Sequence, residues 1–474
     1  MKKFKLVGLM YACVYLFASS AAYADYHYHV STDADLKKLD VNLCFKGEVP
    51  KELVAESLDA SVALMGAWYG SGEEINVSGV IPTEQLPSGA CIVYQVDISR
   101  GIQRHDMTGP KVYRSSGATG VSNGLWFWRP EVFDKNRKVL VEFHLPKDFM
   151  VATSWLSTEN EYVLEVPKTP HDWPSWIVLG RFFKKEITVG GMQLHLAILD
   201  GSPQPDVDAL AYWIESEAGY VDEAIGPIPF SMVQVFVFPN ARARQPVPIA
   251  YVTRGGGPTL HMMINQRRSM EEFHADWTAT HELSHLYLPF IEPEDAWFYE
   301  GFASYYQYVV RARTGAIDQL NAWSNLIYGF HRGSREAEAR ELTLLEATEK
   351  MYAGEPFMQV YWAGAAMMLI ADVQIREETD GVWSLDRVVR EFNACCMDKT
   401  RAWSAQEVIF KFDEIYGRPI FLPLMRRYAD SNNFPDLTDT FSSLGLSVIG
   451  SKVSFFGSAD QGSLRNQIMS MPER

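Results

Sequence analysis

His281-Glu282-Leu283-Ser284-His285, followed fifteen residues later by Glu300 within Trp297-Phe298-Tyr299-Glu300-Gly301-Phe302-Ala303-Ser304-Tyr305-Tyr306, decides how the rest of this chain is read. Histidines at i and i+4 share one helix face, with Cβ atoms about 5 to 6 Å apart, so both imidazoles can reach a single cation. Two imidazoles and one carboxylate suit Zn²⁺ and leave a fourth position open to water or substrate, the condition for a catalytic rather than a structural zinc. Glu282, next to His281, cannot share that ligation geometry and is placed instead to take a proton from a water on the metal. His281, His285 and Glu300 are therefore the expected ligands of one zinc per chain, and Glu282 the expected general base.

The surroundings support this reading. Ser269-Met270-Glu271-Glu272 has the form of a capping box, and Pro289 stops a helix soon after His285, so the motif is expected in the last two turns of one bounded helix. Glu300 stands among Trp297, Phe298, Tyr299, Phe302, Tyr305 and Tyr306, where an unpaired charge is costly to bury and a metal would satisfy it.

With these residues in hand, the chain resembles the gluzincin metallopeptidases of the aminopeptidase N superfamily, and within them the glycyl aminopeptidases in particular. The resemblance runs from about residue 255 to 389. It implies a thermolysin-like catalytic domain, a peptide or protein substrate, and a role for Tyr361. The segment Val360-Tyr361-Trp362-Ala363-Gly364-Ala365-Ala366 is similar to the family's helix with a Tyr-x-Lys-Gly element, whose tyrosine stabilises the transition state. Ala363 stands where these families have lysine. By its residue type alone, a tyrosine in so apolar a helix as that of Tyr361 is more often a core side chain with one hydrogen bond.

A second departure bears on substrate. The family's Gly-x-Met-Glu-Asn strand, whose glutamate binds a free amine, corresponds here to Arg254-Gly255-Gly256-Gly257-Pro258-Thr259-Leu260-His261, with no carboxylate. Gly255, Gly256 and Gly257 either let a substrate backbone approach the edge of the site or form a turn. Aminopeptidase and endopeptidase activity both remain open, as do a catalytically inactive zinc-binding scaffold and hydrolysis of a non-peptide bond, as in leukotriene hydrolase relatives.

Composition limits what else the chain can be. Its 474 residues suffice for two or three domains, and 47% hydrophobic with 22% charged residues describes a folded chain. A formal net charge of −16 makes nucleic acid an improbable partner. Lys2, Lys3 and Lys5, an apolar run from Leu6 to Phe17 and Ala22-Tyr23-Ala24 read as a signal peptide over 1–24, hence export to the periplasm or the medium. No later stretch is long and apolar enough to span a bilayer. Oligomeric state is not legible. Of the cysteines, Cys44 and Cys91 could pair, whereas the adjacent Cys395 and Cys396 are expected to be buried thiols.

The expected fold is α+β. Extended runs Asp40–Phe45, Ala90–Ile98 and Val139–Leu145 mark an N-terminal antiparallel β-domain over 25–170. Pro167, Pro170 and Pro174 mark a linker. A thermolysin-like domain over 176–345 is expected to hold strands Met192–Leu199 and Met232–Val237, a helix near Pro205–Ala224, and an extended piece Ile249–Thr253. A helical region over 346–474 follows, closing with an extended segment Leu446–Phe456.

Overall fold

The computed structural model describes residues 25–56, 58–102, 111–131, 136–167, 169, 173–353, 356–449 and 452–472. The expected signal peptide over 1–24 and the expected linker residue Pro170 lie outside the described residues.

Strand Tyr26–Thr32 alternates buried and half-exposed residues, the period-two pattern of a sheet with one wet face. It is central in a seven-stranded sheet ordered 156–157, 163–165, 139–144, 26–32, 38–45, 91–97, 64–69. The pairing of Tyr26–Thr32 with Val139–His144 is parallel, so this sheet is not purely antiparallel as expected. A four-stranded sheet ordered 150–153, 176–180, 118–122, 112–114 packs with it, and Tyr28, Trp126, Trp128 and Ile177 lie in their shared core. Trp176–Gly180, buried along its whole length, belongs to this N-terminal unit, which therefore runs past the boundary drawn at residue 170. Cys44 and Cys91 are directly opposed on neighbouring strands and joined by a disulfide.

Thr169, Trp173 and Pro174 are not free chain. Thr169 Oγ1 accepts from Gly256 N, the Pro174 carbonyl accepts from Gly255 N, and the Trp173 ring stacks on Phe290 with centroids 4.6 Å apart.

The catalytic half starts with a five-stranded sheet ordered 183–189, 192–198, 232–239, 259–264, 249–253. Strands 192–198, 232–239 and 259–264 are parallel, and Ile249–Thr253 returns antiparallel as an open edge. Helix Val207–Ile225, N-capped by Asp206, makes the first crossover. One hydrophobic core spans this sheet and the helices that follow, from Val189 to Met469. Hairpin 446–449/452–455 and helix Ala459–Met469 close the chain.

Two glycines fix the closest helix crossing. Helices Ala296–Arg313 and Phe357–Glu378 meet at Gly301 and Gly364, where a Cβ on either would strike the backbone of the other helix. Beyond the crossing lies a buried charge network. Asp386 accepts from Arg313 Nη1 (2.9 Å) and Nη2 (3.0 Å), from Arg376 Nη2 (3.2 Å) and from the Tyr306 hydroxyl (2.8 Å). Arg313 also donates to the carbonyls of Ala224 and Ile468, so one guanidinium joins elements from both ends of the catalytic half.

Cys395 and Cys396 correct the reading of buried thiols: they are joined to each other, and Cys395 is exposed. The helix Leu385–Cys395 ends at this pair, and Cys396 leaves helical geometry with φ −134°. The break in the helix lets the adjacent side chains meet. Among the described residues no helix is long and apolar enough to cross a membrane.

Candidate metal centre

The capping box is real, with Ser269 accepting from Glu272 N and Glu272 accepting from Ser269 N, but the helix it starts spans only Met270–Ala275. The expected single helix is broken at Asp276, whose ψ is 141° and whose carboxylate accepts from Thr278 N. Arg311 donates to the carbonyls of His274, Ala275 and Asp276, satisfying the end of the first helix where it would otherwise continue. A second helix, Thr278–Ser284, then carries the motif, and His285 begins a single tight turn to Tyr287.

The three expected ligands converge. His281 Nε2 lies 3.2 Å and His285 Nε2 3.6 Å from the same oxygen, Oε2 of Glu300, and the three donor atoms lie within 4.8 Å of one another. His281 and His285 are buried, and their rings stand nearly perpendicular with centroids 4.9 Å apart. Burial alone would raise the Glu300 carboxyl, but the adjoining His285 and His281 bring it down to about 2, so it is a carboxylate at neutral pH. Two imidazole nitrogens and an ionised oxygen aimed at one point form a donor set that fits Zn²⁺.

Gln307, two helical turns beyond Glu300, holds the first imidazole. Its Oε1 stands 2.8 Å from His281 Nδ1, so Nδ1 carries the proton and Nε2 is left free to ligate. Gln307 lies on the same helix as Glu300. The signal was available, since 300, 304 and 307 share a face at helical spacing.

Glu282 is buried between these groups. Desolvation pushes its carboxyl above the usual range against the opposing pull of His285 and His281, which suits a group that must accept and release a proton. Tyr361 also reaches the site. Its ring lies parallel to that of His281 with centroids 6.0 Å apart, and burial beside Glu300 and Glu282 holds its phenol well above 10.0. Ala363 is buried in the same helix and presents no charge.

The three glycines form the turn between strands 249–253 and 259–264, and the structure gives them a packing reason. A Cβ on Gly255 would strike the Trp173 and Pro174 carbonyls; Gly256, at φ +78°, abuts the Trp155 ring; Gly257, at φ +131°, abuts Ser154. The residue overlooked beside them is Arg254. It is buried, donates from Nη2 to the carbonyls of His285 (2.8 Å) and Leu288 (3.4 Å), and its Nε and Nη1 have no hydrogen-bond partner. Burial lowers it to about 10 while Glu282 opposes that shift, so it remains a cation beside the expected base. A charged residue directly before a glycine run was the only hint in the sequence.

No protein-family model matches the chain, and no curated protein does. Solved structures do match in fold. An aminopeptidase N family protein from Idiomarina loihiensis aligns with a TM-score of 0.69 at 14% identity, over 89% of this chain and 78% of that one. The M1 zinc metallopeptidase from Deinococcus radiodurans aligns with a TM-score of 0.53 at 15% identity, over 87% of this chain and 94% of its own. A variant of that enzyme bound to a Tyr-Ser-Ala substrate aligns with a TM-score of 0.54 at 14% identity, over the same shares of the two chains. The chain thus shares the fold of these structures, α+β, with an N-terminal β-domain and a C-terminal helical region.

Proposed function

We propose that this chain is an exported zinc peptidase of aminopeptidase-like type. The observation that carries the reading is the meeting of His281, His285, Glu300, Glu282 and Tyr361 at one buried point in an aminopeptidase N fold. His281, His285 and Glu300 would hold a zinc ion, which would supply Lewis acidity to a scissile carbonyl and make a bound water more acidic. Glu282 takes the proton of the attacking water and delivers it to the leaving amine. Tyr361 donates from its hydroxyl to the developing oxyanion. Gln307 keeps the His281 ring in register throughout. The substrate backbone lies along the open edge strand Ile249–Thr253 as an added strand, directed towards the glycine turn at 255–257.

An endopeptidase of the same fold is the second reading. Arg254 favours it, because a buried cation stands in the stretch where the family has its amine-binding carboxylate, and a free amino terminus would be repelled there. A scaffold that has lost catalysis is favoured by Ala363 and opposed by the intact Glu282.

Aminoacyl fluorogenic substrates beside N-terminally blocked, internally quenched peptides, each with and without chelator, separate these readings. Chelator-sensitive release from unblocked substrates is the expected result. Cleavage of blocked peptides alone would establish the endopeptidase. Turnover undiminished in Glu282→Gln with zinc retained would overturn the mechanism.

A further inference from the structure

The N-terminal sheet carries a second set of metal-binding side chains, on the face turned away from its core. Along Tyr26–Thr32 the residues Tyr26, Tyr28 and Val30 point inward and His27 and His29 outward. The neighbouring strand is parallel and in register His29 to Glu142 and Ser31 to His144, so Glu142 and His144 emerge on the same outer face. Four side chains meet there. Glu142 Oε2 lies 3.3 Å from His27 Nε2 and 3.3 Å from His29 Nδ1, Glu142 Oε1 lies 3.5 Å from His144 Nε2, and His29 Nδ1 lies 3.3 Å from His144 Nε2.

These separations have a direct meaning. With metal–ligand bonds of about 2.0 to 2.1 Å, neighbouring donors of a tetrahedral site stand about 3.3 Å apart. His27 Nε2 is buried and makes no hydrogen bond, although the carboxylate is near. The platform is stiff, because His27 is opposite Cys44, which the disulfide ties to Cys91 on the next strand.

We propose that His27, His29 and Glu142 form a second divalent-cation site of zinc type, separate from the His281 centre, with His144 standing beside it. Two imidazoles and a carboxylate at this spacing suit Zn²⁺. The three donors come from two strands, so a bound ion would join the parallel strand pair at the middle of the sheet.

The test counts metal in the full-length mature chain, stripped by chelator, reloaded with Zn²⁺ alone and passed through gel filtration before elemental analysis. Wild type should hold two zinc ions. The pair His29→Gln/His144→Gln, and separately Glu142→Gln, should hold one, with peptidase turnover unchanged. His281→Ala should also hold one, now the sheet ion. A wild type that retains a single ion and loses it in His281→Ala would overturn the proposal, as would an unchanged count of two in both sheet variants. The count is read without turnover, so a failed peptidase assignment would leave this result interpretable.

Discussion

At the scale of single residues, two side chains beside the ligands give the sharpest expectations. The Tyr361 hydroxyl gains strength as a donor only when negative charge develops on the substrate, so its removal acts on kcat and much less on KM. Tyr361→Phe should lower kcat about 10²- to 10³-fold, roughly 2.7 to 4 kcal/mol, with zinc content and melting temperature preserved. A fall of less than about threefold would return Tyr361 to the core role that its apolar helix also allows. Gln307→Leu leaves the ligands in place but frees the His281 ring, and zinc affinity should fall about 10- to 100-fold in a chelator competition. The convergence of His281, His285 and Glu300 was legible in the sequence because i, i+4 spacing and a carboxylate among aromatics have few other physical uses. Gln307 and Arg254 were not, because a glutamine or arginine acquires its role only from the atoms that the fold brings to it.

At the scale of elements, the crossing at Gly301 and Gly364 sets how far Tyr361 stands from Glu300, three positions away along one helix and one along the other. Gly364→Ala would push a methyl group into the Trp297 carbonyl. Overpacking of this kind costs about 1 to 3 kcal/mol, so both the urea midpoint and kcat should fall, by an amount that Tyr361→Phe does not reproduce in stability. Asp386 makes a different prediction. Burial would raise its carboxyl, but Arg313 and Arg376 hold it well below 3.8, so its contribution is complete above that pH and lost as pH falls through the depressed folded-state value. Asp386→Asn should destabilise by about 3 to 5 kcal/mol at pH 7, and the gap from wild type should narrow in urea titrations below about pH 4. Sequence periodicity located the strands at 38–45, 91–97, 139–144, 192–198, 232–239 and 249–253 and the helix at 207–225, yet it merged the two helices around Asp276. The local sign of that break is Asp276 accepting from Thr278 N; Arg311, far along the chain, supplies the further hydrogen bonds that stabilise it.

At the scale of the whole molecule, the expectation that residues 1–24 direct export is tested by N-terminal sequencing of the protein recovered outside the cytoplasm. It should begin at Asp25. A retained Met1 would contradict that expectation. The division into β-domain, sheet lobe and helical region was legible from changes in residue pattern, whereas the seam between domains was not. Proline spacing suggested slack chain at 167–174, and only the fold shows Gly255 and Gly256 giving up their side-chain space to that segment.

Arg313 sets a timetable. Its guanidinium donates to Ile468, 155 residues further along, as well as to Asp386 and Ala224. Full satisfaction of this cation therefore requires residue 468 to be in place, so in a nascent chain its bonding is completed only after the helix Ala459–Met469 has docked.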